Sequence, residues 1–394
     1  MSTREPRKAI VAGAGIGGLT AAATLRKIGL EVEIYERAKE LKHAGGALSL
    51  MSNGVLALRS VGVEPNFAKY SDTLSELSFR TTSGKIIKTL KFRGITEELG
   101  APTYGMRRGD LQRLLLDEIG DTRIELNSKA AGFEADDDGV RLHLEDGRTV
   151  HGDLLIGADG IDSAVRRQLV GPETARDAGY LCWLATPVYS DPERVPAGYA
   201  AHYWGDGARF GIANIGFGRV YWWGTKNMSP EAVHAYRGGR DDVLRTFAGW
   251  APEVVAMIKG TPEEEIIVVR AQDRPFLEHW GRGRVTLLGD AAHPILTALG
   301  QGAALAMEDA AVLAHHLAGA TDVPAALRAY ENERGPRIRE LIRRARTMSK
   351  LEQSEGRLGV AFRNTYFRLL PDWAIERYNR SVMSFSLEQP RVPS

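Results

Sequence analysis

Lys8-Ala-Ile-Val-Ala12, Gly13-Ala-Gly15-Ile-Gly17-Gly18 and Leu19-Thr-Ala-Ala-Ala-Thr-Leu-Arg-Lys-Ile28 follow one another without a break near the start of a 394-residue chain. The first block is a short apolar run of the kind that forms a buried parallel strand, and the last reads as a helix. Between them Gly13, Gly15 and Gly18 fit G-x-G-x-x-G in the context of strand, turn and helix. The first glycine permits the tight turn, the second lets backbone approach a pyrophosphate, and the third lets helix pack closely on strand. A pyrophosphate at that helix N-terminus would meet unpaired N–H groups and the positive end of the dipole.

The next segment, Glu31-Val-Glu-Ile-Tyr-Glu36, predicts a second strand and completes a βαβ unit. Glu36 stands 18 residues after Gly18, where a carboxylate can accept hydrogen bonds from ribose hydroxyls. A carboxylate there disfavours a 2′-phosphate, so FAD or NAD fits better than NADP. A tight turn in an ordinary α/β protein is the plainer reading of the glycines. Strand, helix and Glu36 together favour the dinucleotide.

Composition narrows the partners. Lys+Arg number 51 and Asp+Glu 50, a net charge of +1, which removes the usual reason to propose nucleic acid. Cys182 is the one cysteine, so no internal disulfide forms and a cytoplasmic setting is expected. The polar start, residues 1–8, has no apolar core of a signal peptide, and no run is long enough to cross a bilayer. Glycine is in excess at 43 residues, dispersed rather than repetitive. No Cys/His cluster has ligand spacing, so no metal is expected.

Further along, Leu77 to Phe92 predicts a hairpin turning at Ser83-Gly84. Asp110 to Ile119 carries helical spacing, and Gly139 to Val150 predicts two strands joined at Asp146-Gly147. Asp153 to Ala158 and Arg284 to Leu288 read as buried strands. Tyr180 to Thr225 is strand-like and holds Trp183, Trp204, Trp222 and Trp223. A helix is expected around Pro230 to Trp250, and helical character from Ala303 through the basic stretch Arg334 to Lys350, read as a solvated face. No clean linker separates these blocks, so two halves should interleave.

Three linked motifs carry a family resemblance. Asp153-Leu-Leu-Ile-Gly-Ala-Asp159-Gly160 resembles the "DG" motif of FAD-dependent aromatic hydroxylases, the group A flavoprotein monooxygenases. Gly289-Asp290-Ala-Ala-His293-Pro294 with Gly300-Gln301-Gly302 resembles their "GD" motif, and Arg107-Arg108-Gly-Asp-Leu-Gln112 their "R-x-x-L-Q" helix start. Glu308-Asp309 is a further familiar signature. The chain is similar to the urate, salicylate and 3-hydroxybenzoate hydroxylases of that family. The resemblance implies an α/β fold: a Rossmann-like FAD-binding domain (1–70, 100–178 and 275–345) interleaved with a mixed β-sheet substrate domain (71–99 and 179–274), and a helical C-terminal segment (346–394).

It also implies FAD as cofactor and NADH or NADPH as transient reductant. On these residues FAD would be held by Gly13, Gly15, Gly17, Gly18, Glu36, Arg37, Ala47, Arg108, Gln112, Asp159, Asp290, Pro294, Gly300, Gln301, Gly302 and Ala303. The helix opening at Gly300 to Gly302 would present N–H groups to the flavin, and Asp159-Gly160 is associated in the family with NAD(P)H use. The implied reaction is hydroxylation or epoxidation of a small aromatic, heteroaromatic or polycyclic substrate by O₂ through a flavin C4a-hydroperoxide, in a monomer or homodimer. Arg209 and Tyr221 have the spacing of an arginine and a tyrosine that face the substrate in the urate hydroxylases. Arg209 would hold an anionic or carbonyl-bearing ring, and a surface arginine and a core tyrosine are the plain alternatives. Thr297 departs from a proline common in the family beside flavin and substrate. The rival readings are a flavin halogenase or reductase on the same scaffold, whose Trp-x-Trp-x-Ile-Pro run Trp183-Leu-Ala-Thr-Pro187 does not match, and a non-catalytic FAD-scaffold binding protein.

Overall fold

Two sheets organise the chain, one all-parallel and one mixed, as seen in a computed structural model that describes residues 7–41, 46–189 and 191–387. The parallel sheet has the order β18 (Val285–Leu287), β12 (Leu154–Gly157), β1 (Lys8–Ala12), β2 (Glu31–Tyr35), β8 (Arg123–Glu125). Its central residues Ile10, Val11, Leu155 and Ile156 are fully buried, as both-side coverage of a parallel sheet requires. Helices α1 (Ile16–Lys27), α4 (Arg108–Ile119) and α9 (Gly302–Leu317) pack together beside it, α1 between the other two. A small antiparallel sheet of β9 (Ala130–Ala135), β10 (Val140–Leu144) and β11 (Thr149–Gly152) lies against β1 and β12, with α5 (Ala164–Val170) on β9 and β12.

The mixed sheet has seven strands: β17 (Ile267–Asp273), β13 (Arg176–Ala185), β16 (Arg219–Asn227), β15 (Ala208–Gly216), β14 (Tyr199–Trp204), β5 (Glu76–Thr81) and β6 (Ile86–Lys91). All neighbours are antiparallel except β14 and β5. Side chains alternate across it. Leu181, Trp183, Phe210, Ile212, Val220 and Trp222 point to one face and form a core with the helices α6 (Pro230–Ala235), α7 (Arg240–Thr246) and α8 (Pro252–Lys259). Phe210 stacks on Trp222 at 5.3 Å and meets Phe247 edge-on at 5.1 Å.

A three-stranded sheet, β3 (Ala47–Leu50), β7 (Tyr104–Arg107), β4 (Ser71–Thr73), joins the two larger ones, with β4 and β7 packed against β15. Helix α2 (Ser52–Ser60) crosses α9 at Gly54, where a Cβ would stand 3.1 Å from the Cα of Ala304. The chain ends in α10 (Val323–Glu352), α11 (Gly356–Leu369) and α12 (Asp372–Met383), the last resting on α2 and on α3 (Arg93–Leu99).

Three expectations change. The helix expected around Pro230 to Trp250 is two helices, because Gly239 is extended at φ −116°, ψ −152° and serves as the N-cap of α7. Flavin-end helix α9 starts at Gly302, since Gly300 is left-handed at φ 62°. The basic stretch is not only a solvated face: Arg334 is buried and Arg337 reaches a buried acid, while Arg343 and Arg344 share Glu340 on the surface. Residues 1–6 and 388–394, which the readings of the polar start and the helical tail included, lie outside the described residues.

The Phe210→Ala substitution removes the ring between Trp222 and Phe247. It should cost about 3–5 kcal/mol of stability, read as a lower denaturation midpoint, without weakening a ligand held on the opposite face of the sheet.

Candidate active site

Each glycine of the first motif has a distinct geometric reason. Gly13 is left-handed at φ 104°, and a Cβ there would lie 2.5 Å from the carbonyl oxygen of Ala158. At Gly18 a Cβ would fall 1.9 Å from the Gly13 carbonyl oxygen, and at Gly17 3.0 Å from Leu288 Cδ2. Gly15 alone of the four has nothing within 4 Å. Its missing side chain opens onto a cavity of about 460 Å³ lined by Ala14, Glu36 and Gln112. Gly15 caps α1 without a side-chain hydrogen bond, and no acid stands in the first turn, so the first N–H groups are available to an anion. Glu36 accepts hydrogen bonds from the Ala14 and Ala38 N–H groups at 2.6 and 2.8 Å, and Gln112 Nε2 donates to the Ala14 carbonyl at 3.4 Å.

A second cavity of about 240 Å³ shares Gly15 and Glu36 and adds Gly13, Arg37, Arg108, Asp159 and Gly160. Asp159 accepts from the Ala164 N–H at 2.7 Å through Oδ2, while its Oδ1 is buried without a partner. Burial raises the Asp159 carboxyl above its ordinary range. An orphaned carboxylate oxygen in a cradle of glycines fits a hydroxyl-bearing dinucleotide. Asp290, on the turn after β18, keeps a solvent-open surface but is closely surrounded by protein, and this raises its carboxyl despite the pull of His293 and Arg108. Ala47 opens β3 beside Arg107, and Arg108 N–H binds the Gly46 carbonyl, which fixes the start of α4 against that strand.

The residues Gly300-Gln301-Gly302 are held by a buried polar network. Gln301 Oε1 accepts from Asn53 Nδ2 at 2.7 Å, and the same amide donates to Glu308 Oε1 at 2.6 Å. Glu308 pairs with Arg334 and Arg337, each at 2.7 Å. Asp309 pairs with Arg334 at 2.7 Å and His293 at 2.5 Å, and accepts from the Gly289 N–H at 3.0 Å. Burial pulls the Asp309 carboxyl upward, but His293 and Arg334 outweigh it and hold it at about 2. His293 is thus committed to this network. The N-terminus of α9 has no side-chain cap and no acid in its first turn, so its first N–H groups, those of Gly302 and Ala303 among them, are left for an anionic partner. Pro294 lies between the network and Thr297, which opens the short turn before α9 and is exposed.

The second face of the mixed sheet is joined to this platform by residues 46–51, with Gly46 against the sheet and Met51 Sδ accepting from Gln301 Nε2 at 2.8 Å. Cross-strand register aligns Leu184, Trp223, Gly211, His202 and Phe79 in one row, and Cys182, Thr225, Arg209 and Trp204 in the next. A Cβ on Gly211 would lie 2.0 Å from the Trp223 ring, so that ring lies flat over the glycine. Tyr221 meets Trp223 at 5.1 Å, and His202 meets it edge-on at 4.8 Å. A Cβ on Gly46 would touch both Leu184 and Tyr221 at 3.5 Å, so β3 closes this side. Burial raises Tyr221 and Tyr180, and pushes the Cys182 thiol up to about 12.

Arg209 and Tyr221, paired by sequence, share this face but differ in setting. Arg209 is 2% exposed and forms an ion pair with Glu352, itself 1% exposed. Sequence reading missed Glu352, His202, Asn53 and Arg334. A signal existed for Glu352: Ile338, Leu341, Ala345, Ser349 and Glu352 recur at helical spacing on the buried stripe of α10. For Asn53 and His202 no local pattern distinguishes them, since their partners come from elements far away in the chain.

Comparison with known proteins agrees with this geometry. Residues 7–345 match the family model described as FAD binding domain. An aurachin C monooxygenase/isomerase from Stigmatella aurantiaca is 35% identical over 377 residues, 96% of this chain and 98% of that protein. An FAD-dependent urate hydroxylase from Klebsiella pneumoniae subsp. pneumoniae is 35% identical over 341 residues, covering 86% and 88%. The crystal structure of Klebsiella pneumoniae HpxO complexed with FAD and uric acid superposes with a TM-score of 0.89 at 31% identity, covering 96% of both chains.

Two predictions follow from the cradle and the sheet face. Gly15→Ala should leave the ligand-free melting curve within ~0.5 kcal/mol yet weaken FAD binding about tenfold or more, about 1.4 kcal/mol, by flavin fluorescence quenching. Gly18→Ala should destabilise the free chain itself by about 1–3 kcal/mol or more. Second, burial and the nearby Arg209 lower the His202 imidazole to about 3. The Glu352 carboxylate 3.6 Å away does not reverse this, being engaged by Arg209. An unfolded histidine takes a proton near pH 6.5, so the neutral native form contributes stability fully above that pH and loses it as pH falls toward 3. The slope approaches ~1.4 kcal/mol per pH unit. Urea denaturation at pH 7, 6 and 5 should show a shallower loss for His202→Gln; equal slopes would refute the assignment.

Proposed function

The chain belongs to the FAD-dependent group A flavoprotein monooxygenases, and on that premise we propose that it hydroxylates or epoxidises a small aromatic, heteroaromatic or polycyclic ring, using NAD(P)H and O₂. The observation that carries this reading is the aromatic face formed by Leu184, Tyr221, Trp223 and His202, which residues 46–51 join to the uncapped α9 N-terminus. Relatives of this chain are FAD-dependent monooxygenases of aromatic or heteroaromatic compounds.

Bound FAD, once reduced, supplies the activation of O₂ that side chains cannot. The chain's residues then have separable tasks. Gly13, Gly15 and Gly18 bring the α1 N–H groups to the pyrophosphate. Glu36, Asp159 and Asp290 accept from ribose and ribityl hydroxyls, with Arg37, Arg108 and Gln112 along the same groove. At the other end, N–H groups of Gly302 and Ala303 favour negative charge on the flavin ring. Trp223, Tyr221 and Leu184 exclude water and lie against the substrate ring, while the Tyr221 hydroxyl orients a polar substituent. Thr297, exposed on the turn before α9, places a hydroxyl at the edge of the platform. No side chain is required to act as a nucleophile, which fits a site without a triad.

Purified protein should bind FAD with a flavin visible spectrum. Oxidation of NADH or NADPH should rise several-fold with at least one compound from a panel of phenols, purines, quinolones and polycyclic aromatics. Tyr221→Phe should lower kcat/KM for that compound by about fivefold, the worth of one hydrogen bond (~1 kcal/mol), with FAD retained. Absence of any stimulation would return the chain to the non-catalytic FAD-scaffold reading.

A further inference from the structure

We infer that the substrate chamber by construction offers no free cation to a ligand, so that this enzyme takes an uncharged ring bearing hydroxyl, carbonyl or ring N–H groups and rejects carboxylates. The inference rests on the monooxygenase reading and names the substrate class of that same site.

Three cations on the chamber face of the mixed sheet are Arg209, Lys88 and Arg219. Arg209 is the one nearest its centre, and its charge is taken by Glu352. Lys88, toward the β6 edge, pairs with Asp372, and Arg219, at the start of β16, donates to the Thr186 carbonyl at 2.9 Å. Among the described residues of this face, no guanidinium or ammonium is left facing the flavin platform without a partner. The side chains that do reach the chamber are Leu184, Tyr221, Trp223 and His202. All are apolar or neutral, because the buried imidazole sits beside the Arg209 charge and stays unprotonated.

Glu352 is not a mobile counter-ion. It closes α10, and that end of the helix is fastened to the sheet on every side. Ser349 Oγ donates to Tyr180 at 3.1 Å, Gln353 accepts from Thr225 at 3.0 Å and donates to Asn227 at 2.8 Å, and Arg363 donates to the Glu352 carbonyl at 3.1 Å. For Arg209 to turn to a substrate carboxylate, Glu352 would be left buried and unpaired, with no water to receive its charge. The arginine is also screened from the ring space, since the Trp223 ring covers Gly211 in the adjacent row. Arg209 is therefore a positioning residue, acting through Glu352 and His202, and not the clamp for an anionic ring that its sequence spacing suggests. What remains for recognition is the Tyr221 hydroxyl and the other ring nitrogen of the neutral His202 imidazole, its Nδ1 standing 3.6 Å from Glu352 Oε1. Both can donate to or accept from a neutral polar group, and neither offsets a full negative charge.

The test uses FAD-loaded enzyme at pH 7.5 and three matched ligand pairs: phenol and 4-hydroxybenzoate, indole and indole-2-carboxylate, 4-quinolone and 4-quinolone-2-carboxylate. Binding is read from perturbation of the flavin absorbance. The neutral member of at least one pair should bind tenfold or more tighter than its carboxylate. Equal or tighter binding of carboxylates across the pairs, or binding of no member, overturns the inference. Glu352→Gln uncovers the Arg209 charge and should improve carboxylate binding at least tenfold while changing the neutral partner less than threefold. Should that variant fold poorly, Arg209→Met combined with Glu352→Leu removes both charges and should keep the neutral preference. Tenfold loss of the neutral ligand in a double variant that still holds FAD would make Arg209 a substrate contact and overturn the proposal. NAD(P)H oxidation separates the two levels: stimulation by carboxylates alone sinks this inference and leaves the monooxygenase reading standing, whereas no stimulation by any ring sinks the latter.

Discussion

The ion network of Glu308, Asp309, Arg334, Arg337 and His293 is the constraint on which the rest of the site depends. It joins α9, α10 and the turn after β18 in a region with almost no solvent. Through Asn53 it also reaches α2 and Gln301. Buried ion pairs are poor evidence of net stability, because desolvation offsets much of their attraction. Their value here is positional. Arg334 bridges both buried acids, so removing it leaves Glu308 and Asp309 short of counter-charge in the interior. That arrangement fixes where the N-terminus of α9 stands relative to the Gly13–Gly18 turn and to the mixed sheet.

Charge is handled in the same way at the opposite wall. Arg209 and Glu352 repeat on a small scale what the larger network does, each cancelling a charge that the interior cannot solvate. The pattern leaves a contrast along the cofactor groove. Its dinucleotide end offers unpaired N–H groups, Asp159 Oδ1 and open arginines. Its ring end offers aromatic surface, a neutral histidine and no open cation. A flavin dinucleotide spans such a gradient well, with its charged pyrophosphate at one end and its ring system at the other.

Much of this was legible before any coordinates. The fingerprint glycines sit where strand, turn and helix demand them. Asp159 and Arg108, distant from the fingerprint in the chain, line the same cavity as Gly13, Gly15 and Glu36. The alternation Val220, Tyr221, Trp222, Trp223 assigned Tyr221 and Trp223 to a common face, as β16 shows. The break at Gly238-Gly239 is legible in two adjacent glycines, which a helix interior disfavours.

Local sequence determined the elements that depend on backbone freedom and periodicity: a turn only glycine can make, a strand buried on both sides, a sheet with two unlike faces. These properties act over a few residues, so a short window contains their cause. Tertiary structure alone decided which charges are open and which are spent. Arg209 and Glu352 are 143 residues apart, as are His293 and Arg334 by 41, and an arginine reads the same in sequence whether solvent or a buried carboxylate faces it. Coulomb attraction and desolvation depend on distance in space and on local burial, neither of which exists until the chain has folded.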